Sequence, residues 1–107
     1  MQFGLKKEII QQINSAFQKI PEIEKVIIYG SRAKGTYKNN SDIDLTLIGN
    51  SHIRQILNDL DELLLPYMID VSIQHHIDNK ELLEHIDRVG KVFYNKTNHT
   101  HSHSSLG

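Results

Sequence analysis

Apolar residues recur along this chain at two different spacings, which separate helices from strands. Spacings of three and four residues predict three helices, over residues 5–20, 53–65 and 79–89. β-branched or strictly alternating runs predict four strands, over residues 25–29, 42–48, 68–74 and 91–94. The elements therefore follow the order helix, strand, loop, strand, helix, strand, helix, strand.

Residues typical of helix ends support these boundaries. Pro21 ends the first helix and Pro66 the second, for which Ser51 is the predicted N-cap. Asp78 or Asn79 is expected to cap the third helix at its start, and Gly90 to end it.

The polar loop between the first two strands carries the most informative motif. Gly30-Ser31 ends the first strand, and after ten further residues Asp42-Ile43-Asp44 begins the second. If these strands pair antiparallel, the Gly-Ser turn and both aspartates lie at the same end of the sheet. One helical turn is expected around Arg32, Ala33 and Lys34.

The alternation of the second strand places Asp42 and Asp44 on one face. Adjacent carboxylates repel each other unless a cation or a shared proton compensates. Asp70 lies on a later strand, on the face opposite Ile69 and Val71, and supplies a third carboxylate. Mg²⁺ favours such oxygen ligands together with phosphates, so these three aspartates predict a metal site, with a two-metal site as one form of it. A solvent-facing amphipathic strand is the alternative explanation of Asp42 and Asp44.

The Gly-Ser turn and the residue after it are candidate phosphate ligands. Gly30 has no Cβ and permits a sharp turn with close backbone approach to a phosphate. Ser31 adds a hydroxyl, and Arg32 adds a cation that could neutralise phosphate charge. An ordinary solvated loop charge is the other interpretation of Arg32.

Composition limits the function further. The chain has 107 residues, a net charge of −1 and no cysteine, which argues against disulfides, thiolate metal sites and strong electrostatic binding to nucleic acid. The apolar runs are too short for a membrane span, and the start of the chain does not resemble a signal peptide. A cytoplasmic protein without membrane attachment is therefore expected.

The end of the sequence differs from the rest. Residues 1–94 are expected to form one domain, and residues 95–107 a disordered tail rich in His, Ser and Thr. His99, His101 and His103 alternate in this tail. A flexible polar terminus explains them, and weak metal binding is the alternative.

The segments 30–35, 41–45 and 69–71 together resemble the minimal nucleotidyltransferases (MNT proteins) of the DNA polymerase beta-like nucleotidyltransferase superfamily. The resemblance covers roughly residues 5–94. It implies an α/β (α+β) fold, with a mixed β-sheet of three to four strands and flanking helices. It also implies transfer of a nucleoside monophosphate with pyrophosphate leaving.

The resemblance assigns roles to the candidate residues. Gly30 and Ser31 would bind the triphosphate of ATP, and Arg32 beside them is a further candidate nucleotide-binding residue because of its charge. Asp42, Asp44 and Asp70 would be the catalytic and Mg²⁺-binding residues, with Asp70 also helping to activate the acceptor hydroxyl.

Many MNT proteins pair with a HEPN ribonuclease toxin and transfer AMP from ATP to one of its tyrosines, acting as its antitoxin. The resemblance therefore implies an adenylyltransferase with a HEPN-type partner, in a homo- or hetero-oligomer. Two alternatives stay open. The chain could neutralise its toxin by stoichiometric binding alone, or it could modify a small molecule as a dimer.

Overall fold

A mixed β-sheet of four strands forms the centre of the structure. The computed structural model describes residues 2–49 and 53–96. In these residues the α-helices are α1 (Lys7–Gln18), α2 (Gly30–Lys34), α3 (Ile53–Glu62) and α4 (Lys80–Val89), and a single 3-10 turn spans Gln74–His76. The strands are β1 (Ile23–Tyr29), β2 (Ile43–Gly49), β3 (Ile69–Ile73) and β4 (Lys91–Asn95). This confirms the predicted α/β class, the mixed sheet and the order of the elements.

The strand order in the sheet is β3-β2-β1-β4. β1 runs antiparallel to both of its neighbours, whereas β2 and β3 run parallel. Parallel neighbours need a crossover connection, and α3 supplies it between β2 and β3. The antiparallel pairing of β1 with β2 confirms the expectation that the end of β1 and the start of β2 lie at the same end of the sheet.

One face of the sheet builds the main hydrophobic core. Alternate strand residues are fully buried there, as the period of a strand requires. Against them pack the apolar stripes of α1 and α3. The core includes Val26, Ile28, Ile43, Leu45 and Leu47 from the strands, Ile13 and Phe17 from α1, and Ile56 and Leu60 from α3.

The opposite face carries the polar residues of the sheet. Residues directly across a ladder share a face. Tyr29 pairs with Asp44, and Asp44 pairs with Asp70 on the far side. Thr46 pairs with Ser72 and is fully buried, and the Ser72 hydroxyl donates to the Thr46 hydroxyl at 3.1 Å. This face is therefore polar but partly covered.

Helix α4 covers part of this second face. A Cβ placed on Gly90, at the end of α4, would collide with a side-chain methyl of Ile27 on β1, so the two elements lie in close contact. The predicted cap of α4 is confirmed, because the Asn79 side chain accepts a hydrogen bond from the Leu82 N–H at 3.1 Å.

Several boundaries differ from the sequence expectation or lie beyond the described residues. β2 begins at Ile43, so Asp42 precedes the strand instead of starting it. β4 includes Asn95, which the sequence had assigned to the tail, because Lys25 on β1 pairs with it. The predicted cap Ser51 and the rest of the predicted tail, residues 97–107, lie outside the described residues.

No helix within residues 2–49 and 53–96 is long and apolar enough to cross a membrane.

Phe17 is expected to be essential for stability, because its side chain is fully buried and its ring centroid lies 5.7 Å from that of Tyr94. Phe17→Ala should lower the free energy of unfolding by about 3–5 kcal/mol, a large share of the stability of a small domain. Urea unfolding followed by circular dichroism measures this. Gln18→Ala, at the exposed neighbouring position, is the control and should change stability little. Equal effects of the two substitutions would contradict the core assignment.

Candidate functional site

The site begins where β1 ends in a sharp turn. Gly30 has a φ of +75°, which L side chains rarely adopt, and the chain passes directly into the short helix α2. A Cβ at Gly30 would also overlap with a carboxylate oxygen of Asp44. Glycine is therefore required here for two reasons: the backbone conformation, and the close approach of the Asp44 carboxylate to the turn.

The sheet brings Asp44 and Asp70 side by side. They are direct partners in the parallel ladder of β2 and β3, so their side chains project from the same face. Asp44 is half-buried, whereas Asp42 and Asp70 are exposed. Gly30, Asp44 and Asp70 therefore lie at one end of the sheet, as the sequence predicted, and Asp42 adjoins them from just before β2.

The electrostatics of this cluster are unfavourable for the free protein. Burial raises the pKa of the Asp44 carboxyl, and the charges of Asp70 and Asp42 raise it further. The nearby His85 side chain acts in the opposite direction. A divalent cation beside Asp44 would offset this repulsion.

The arrangement suits a cation that takes only part of its ligands from the protein. Among residues 2–49 and 53–96, no three acidic or histidine side chains come together closely enough to hold a metal ion by themselves. Mg²⁺ is usually bound through one or two carboxylates plus substrate phosphates and waters. The oxygen-only chemistry of Asp42, Asp44 and Asp70 fits that mode of binding.

Ser31 follows the turn and is half-buried. Its carbonyl accepts hydrogen bonds from the N–H groups of Gly35 and Thr36, at 2.9 and 3.0 Å, and these bonds close the last turn of α2. The backbone of Ser31 therefore holds the loop that leads away from the turn.

Arg32 does not lie in an open, solvated position. Its side chain is 2% exposed, and its three nitrogens donate to the main-chain carbonyls of Phe3, Asn39 and Ser41. The alternative interpretation of Arg32 as a solvated loop charge is therefore wrong. Direct binding of a nucleotide by Arg32 stays a prediction, and this geometry favours a structural role.

His85 on α4 is a site residue that the sequence reasoning did not single out. The Gly30 N–H donates a hydrogen bond to its Nε2 at 3.2 Å, and its ring meets the ring of Tyr29 edge-on at 6.1 Å. A signal for it exists in the sequence, because His85 shares the helical stripe of Leu82 and Val89, which faces the protein interior.

Tyr29 also belongs to the neighbourhood of the carboxylates. Burial raises the pKa of its phenol, a hydrogen bond with the Ser72 side chain opposes this, and the charges of Asp44 and Asp70 raise the pKa further. The phenol is therefore a neutral group beside the carboxylates at physiological pH.

Gly30→Ala and Gly35→Ala form a matched pair of variants. Both glycines have positive φ, so both substitutions strain the backbone, but a Cβ at Gly35 meets no atom within 4 Å. Only the Gly30 variant should also displace the Asp44 carboxylate and weaken Mn²⁺ binding. Thermal unfolding and Mn²⁺ titration of both variants measure the two effects. Equal Mn²⁺ affinity in both would contradict the close approach of Asp44 to the turn.

Asp44→Asn should stabilise the protein at pH 7 in EDTA. The pKa of Asp44 is higher in the folded state than in the unfolded state. The free energy of unfolding therefore falls as the pH rises from the unfolded-state pKa through the folded-state pKa. At pH 7 the carboxylate is ionised and its full destabilising effect is present. The melting temperature should rise by a few degrees, and Mg²⁺ should stabilise the wild type more than the variant.

Glu24→Gln, at an exposed position of β1, is the control for loss of a charge. A melting temperature of the Asp44 variant below that of the wild type in EDTA would show that Asp44 is not under repulsion.

Comparison with known proteins agrees with this geometry. The family model described as polymerase beta, nucleotidyltransferase matches residues 11–99. A protein of Methanocaldococcus jannaschii, named as a protein adenylyltransferase, is 32% identical over 76 residues, which cover 71% of this chain and 72% of that protein.

Solved structures share the fold at low sequence identity. A toxin-antitoxin structure with AMP-PNP aligns with a TM-score of 0.64 and 20% identity, covering 88% of this chain and 77% of the other. A Shewanella oneidensis complex, described as a tri-AMPylated HEPN toxin with its MNT antitoxin, gives a TM-score of 0.61 and 14% identity over 91% of this chain and 78% of the other. These likenesses confirm the predicted polymerase beta-like fold. With the family match over most of its length, this chain belongs to the polymerase beta nucleotidyltransferase family.

Proposed function

We propose that this chain is a Mg²⁺-dependent adenylyltransferase that moves AMP from ATP to a hydroxyl group of a partner protein. The observation that carries the proposal is the register of the sheet. It aligns Asp44 with Asp70 and places the Gly30 turn beside the Asp44 carboxylate. Nucleotidyl transfer needs carboxylates and a phosphate-binding turn in this proximity.

Gly30 and Ser31 are proposed to hold the triphosphate, through the backbone at the turn and the Ser31 hydroxyl. Asp42 and Asp44 are proposed to hold Mg²⁺ together with phosphate oxygens, and Asp70 to complete the site. When bound, the metal neutralises phosphate charge and lowers the pKa of a hydroxyl near it.

The reaction is a displacement at the α-phosphorus of ATP. The acceptor hydroxyl oxygen forms the new bond to that phosphorus, and the bond to the β-phosphate oxygen breaks, so that pyrophosphate leaves with the bonding electrons. Asp70 is exposed at this end of the sheet and is proposed to take the proton of the hydroxyl.

The acceptor is proposed to be a tyrosine of a HEPN-type toxin, which makes this chain an antitoxin. Two comparisons support this: the relative named as a protein adenylyltransferase, and the structural neighbour described as an AMPylated HEPN toxin with an MNT antitoxin. The Arg32 side chain is buried and donates to main-chain carbonyls. Its assignment to the triphosphate therefore stays a prediction that this geometry does not favour.

The proposal predicts labelling of a HEPN-type protein when it is incubated with this chain, Mg²⁺ and base-labelled ATP. EDTA should abolish the transfer. Asp44→Asn should reduce the rate of transfer by about 100-fold or more, because it removes a carboxylate that is proposed to bind the Mg²⁺ ion at the reacting phosphates. Asp61→Asn, at an exposed position of α3, is the matched control and should transfer at the wild-type rate.

Two outcomes would contradict the enzymatic role. One is the absence of label on the HEPN protein under all these conditions. The other is full neutralisation of the toxin by an Asp42→Asn/Asp44→Asn double variant without ATP, which would favour stoichiometric binding.

A further inference from the structure

Arg32 is the largest fully buried side chain of the described residues, yet it carries a charge. Burying a guanidinium is costly unless its donors are used. Nη1 donates to the Phe3 carbonyl at 2.9 Å, and both Nη2 and Nε donate to the Ser41 carbonyl, at 2.9 and 3.1 Å. Nη2 also reaches the Asn39 carbonyl at 3.4 Å. These hydrogen bonds of the Arg32 side chain therefore all go to main-chain oxygens.

Two aromatic rings flank the guanidinium. Its Cζ lies 5.4 Å from the ring centre of Tyr37 and 5.0 Å from that of Tyr67, distances at which a cation is attracted to an aromatic ring. Tyr37 belongs to the loop that leads to Asp42, and Tyr67 to the segment that leads to Asp70. One side chain of α2 therefore contacts both segments that deliver carboxylates to the site.

Asp42 depends on this contact more than the other two aspartates do. Asp44 and Asp70 are inside strands and are held by the sheet ladder. Asp42 precedes β2, and the residue before it is Ser41, whose carbonyl receives two hydrogen bonds from Arg32. The residue after Asp42 is also fixed, because the Ile43 N–H donates to the Met68 carbonyl at 2.9 Å.

We propose that Arg32 is a positioning residue: by holding Ser41 it fixes Asp42 beside Asp44, and so sets the affinity of the site for a divalent cation. The inference rests on the proposed function only in taking Asp42 and Asp44 as cation ligands. It gives Arg32 a role that needs no contact with the nucleotide.

The geometry requires arginine and not merely a positive charge. Two nitrogens of one planar group converge on the Ser41 carbonyl while a third reaches the Phe3 carbonyl. A lysine ammonium cannot reproduce this fork. Arg32→Lys therefore keeps the charge and removes the positioning.

Mn²⁺ binding, followed by the electron paramagnetic resonance signal of free Mn²⁺, tests the proposal without any transfer reaction. Both Arg32→Lys and Arg32→Gln should weaken Mn²⁺ binding by about tenfold, as is typical for residues that orient metal ligands. A purely electrostatic influence of Arg32 predicts the opposite pattern. Under it the Lys variant is unchanged, and the Gln variant binds Mn²⁺ more tightly because a nearby cation is gone.

A double-variant cycle shows whether Arg32 acts through Asp42. In the Asp42→Asn background, Arg32→Lys should cause no further loss of Mn²⁺ affinity. Lys34→Gln, which removes an exposed cation from the same short helix, is the control and should not weaken Mn²⁺ binding. Additive losses from Arg32→Lys and Asp42→Asn would overturn the proposal.

Folding of each variant is checked by circular dichroism, and Tyr67→Leu provides a second route if the Arg32 variants do not fold. Removing the half-buried Tyr67 ring should loosen the guanidinium and weaken Mn²⁺ binding in the same direction. Unchanged Mn²⁺ affinity in this variant would overturn the proposal.

AMP-PNP affinity at saturating Mn²⁺ separates the two roles of Arg32. It should be unaffected by Arg32→Lys, and a loss confined to AMP-PNP affinity would assign Arg32 to the triphosphate instead. Failure of AMP transfer by the wild type would reject the proposed function. The Mn²⁺ affinities of the Arg32 variants would still test the positioning role, because that measurement does not depend on transfer.

Discussion

The antiparallel register of β1 against β2 is the constraint on which the candidate site depends. It sets Tyr29 opposite Asp44, so the turn at Gly30 begins beside that carboxylate. The parallel register of β2 against β3 then adds Asp70 on the other side of Asp44. A shift of one residue in either pairing would move these side chains to the core face, where Ile28, Leu45 and Val71 lie. The same apolar residues that stabilise the sheet therefore also fix the site.

Residues of the candidate site lower the stability of the folded protein. Asp44 is half-buried beside two other carboxylates, and burial with repulsion raises its pKa. The turn at Gly30 restricts the position to glycine, because the backbone has a positive φ and leaves no room for a Cβ. Such local costs are common where a protein must bind a cation and a phosphate. The fully buried core of α1, α3 and the sheet outweighs them.

Much of this arrangement follows from the sequence, because alternation and helical spacing determine which residues share a face. Asp44 and Asp70 could be placed together because each alternates with aliphatic residues that face the core on its own strand. The prediction that Asp42 starts β2 was wrong, because strand ends depend on hydrogen bonds to neighbouring segments. The local sequence does not reveal that the Ile43 N–H finds the Met68 carbonyl.

Arg32 and His85 illustrate what a linear pattern cannot give. A basic residue in a polar loop normally suggests solvent or phosphate. Arg32 is instead surrounded by the Phe3 carbonyl, two carbonyls of the loop after α2 and two tyrosine rings. His85 reaches the Gly30 N–H from a helix 55 residues later in the chain. Both contacts arise only after the segments pack.

A crystal structure with Mn²⁺ and AMP-PNP tests the central claim most directly. We expect anomalous density for manganese at the Asp42 and Asp44 carboxylates, with the triphosphate at Gly30 and Ser31. A nucleotide bound elsewhere, with no manganese at these carboxylates, would contradict the account.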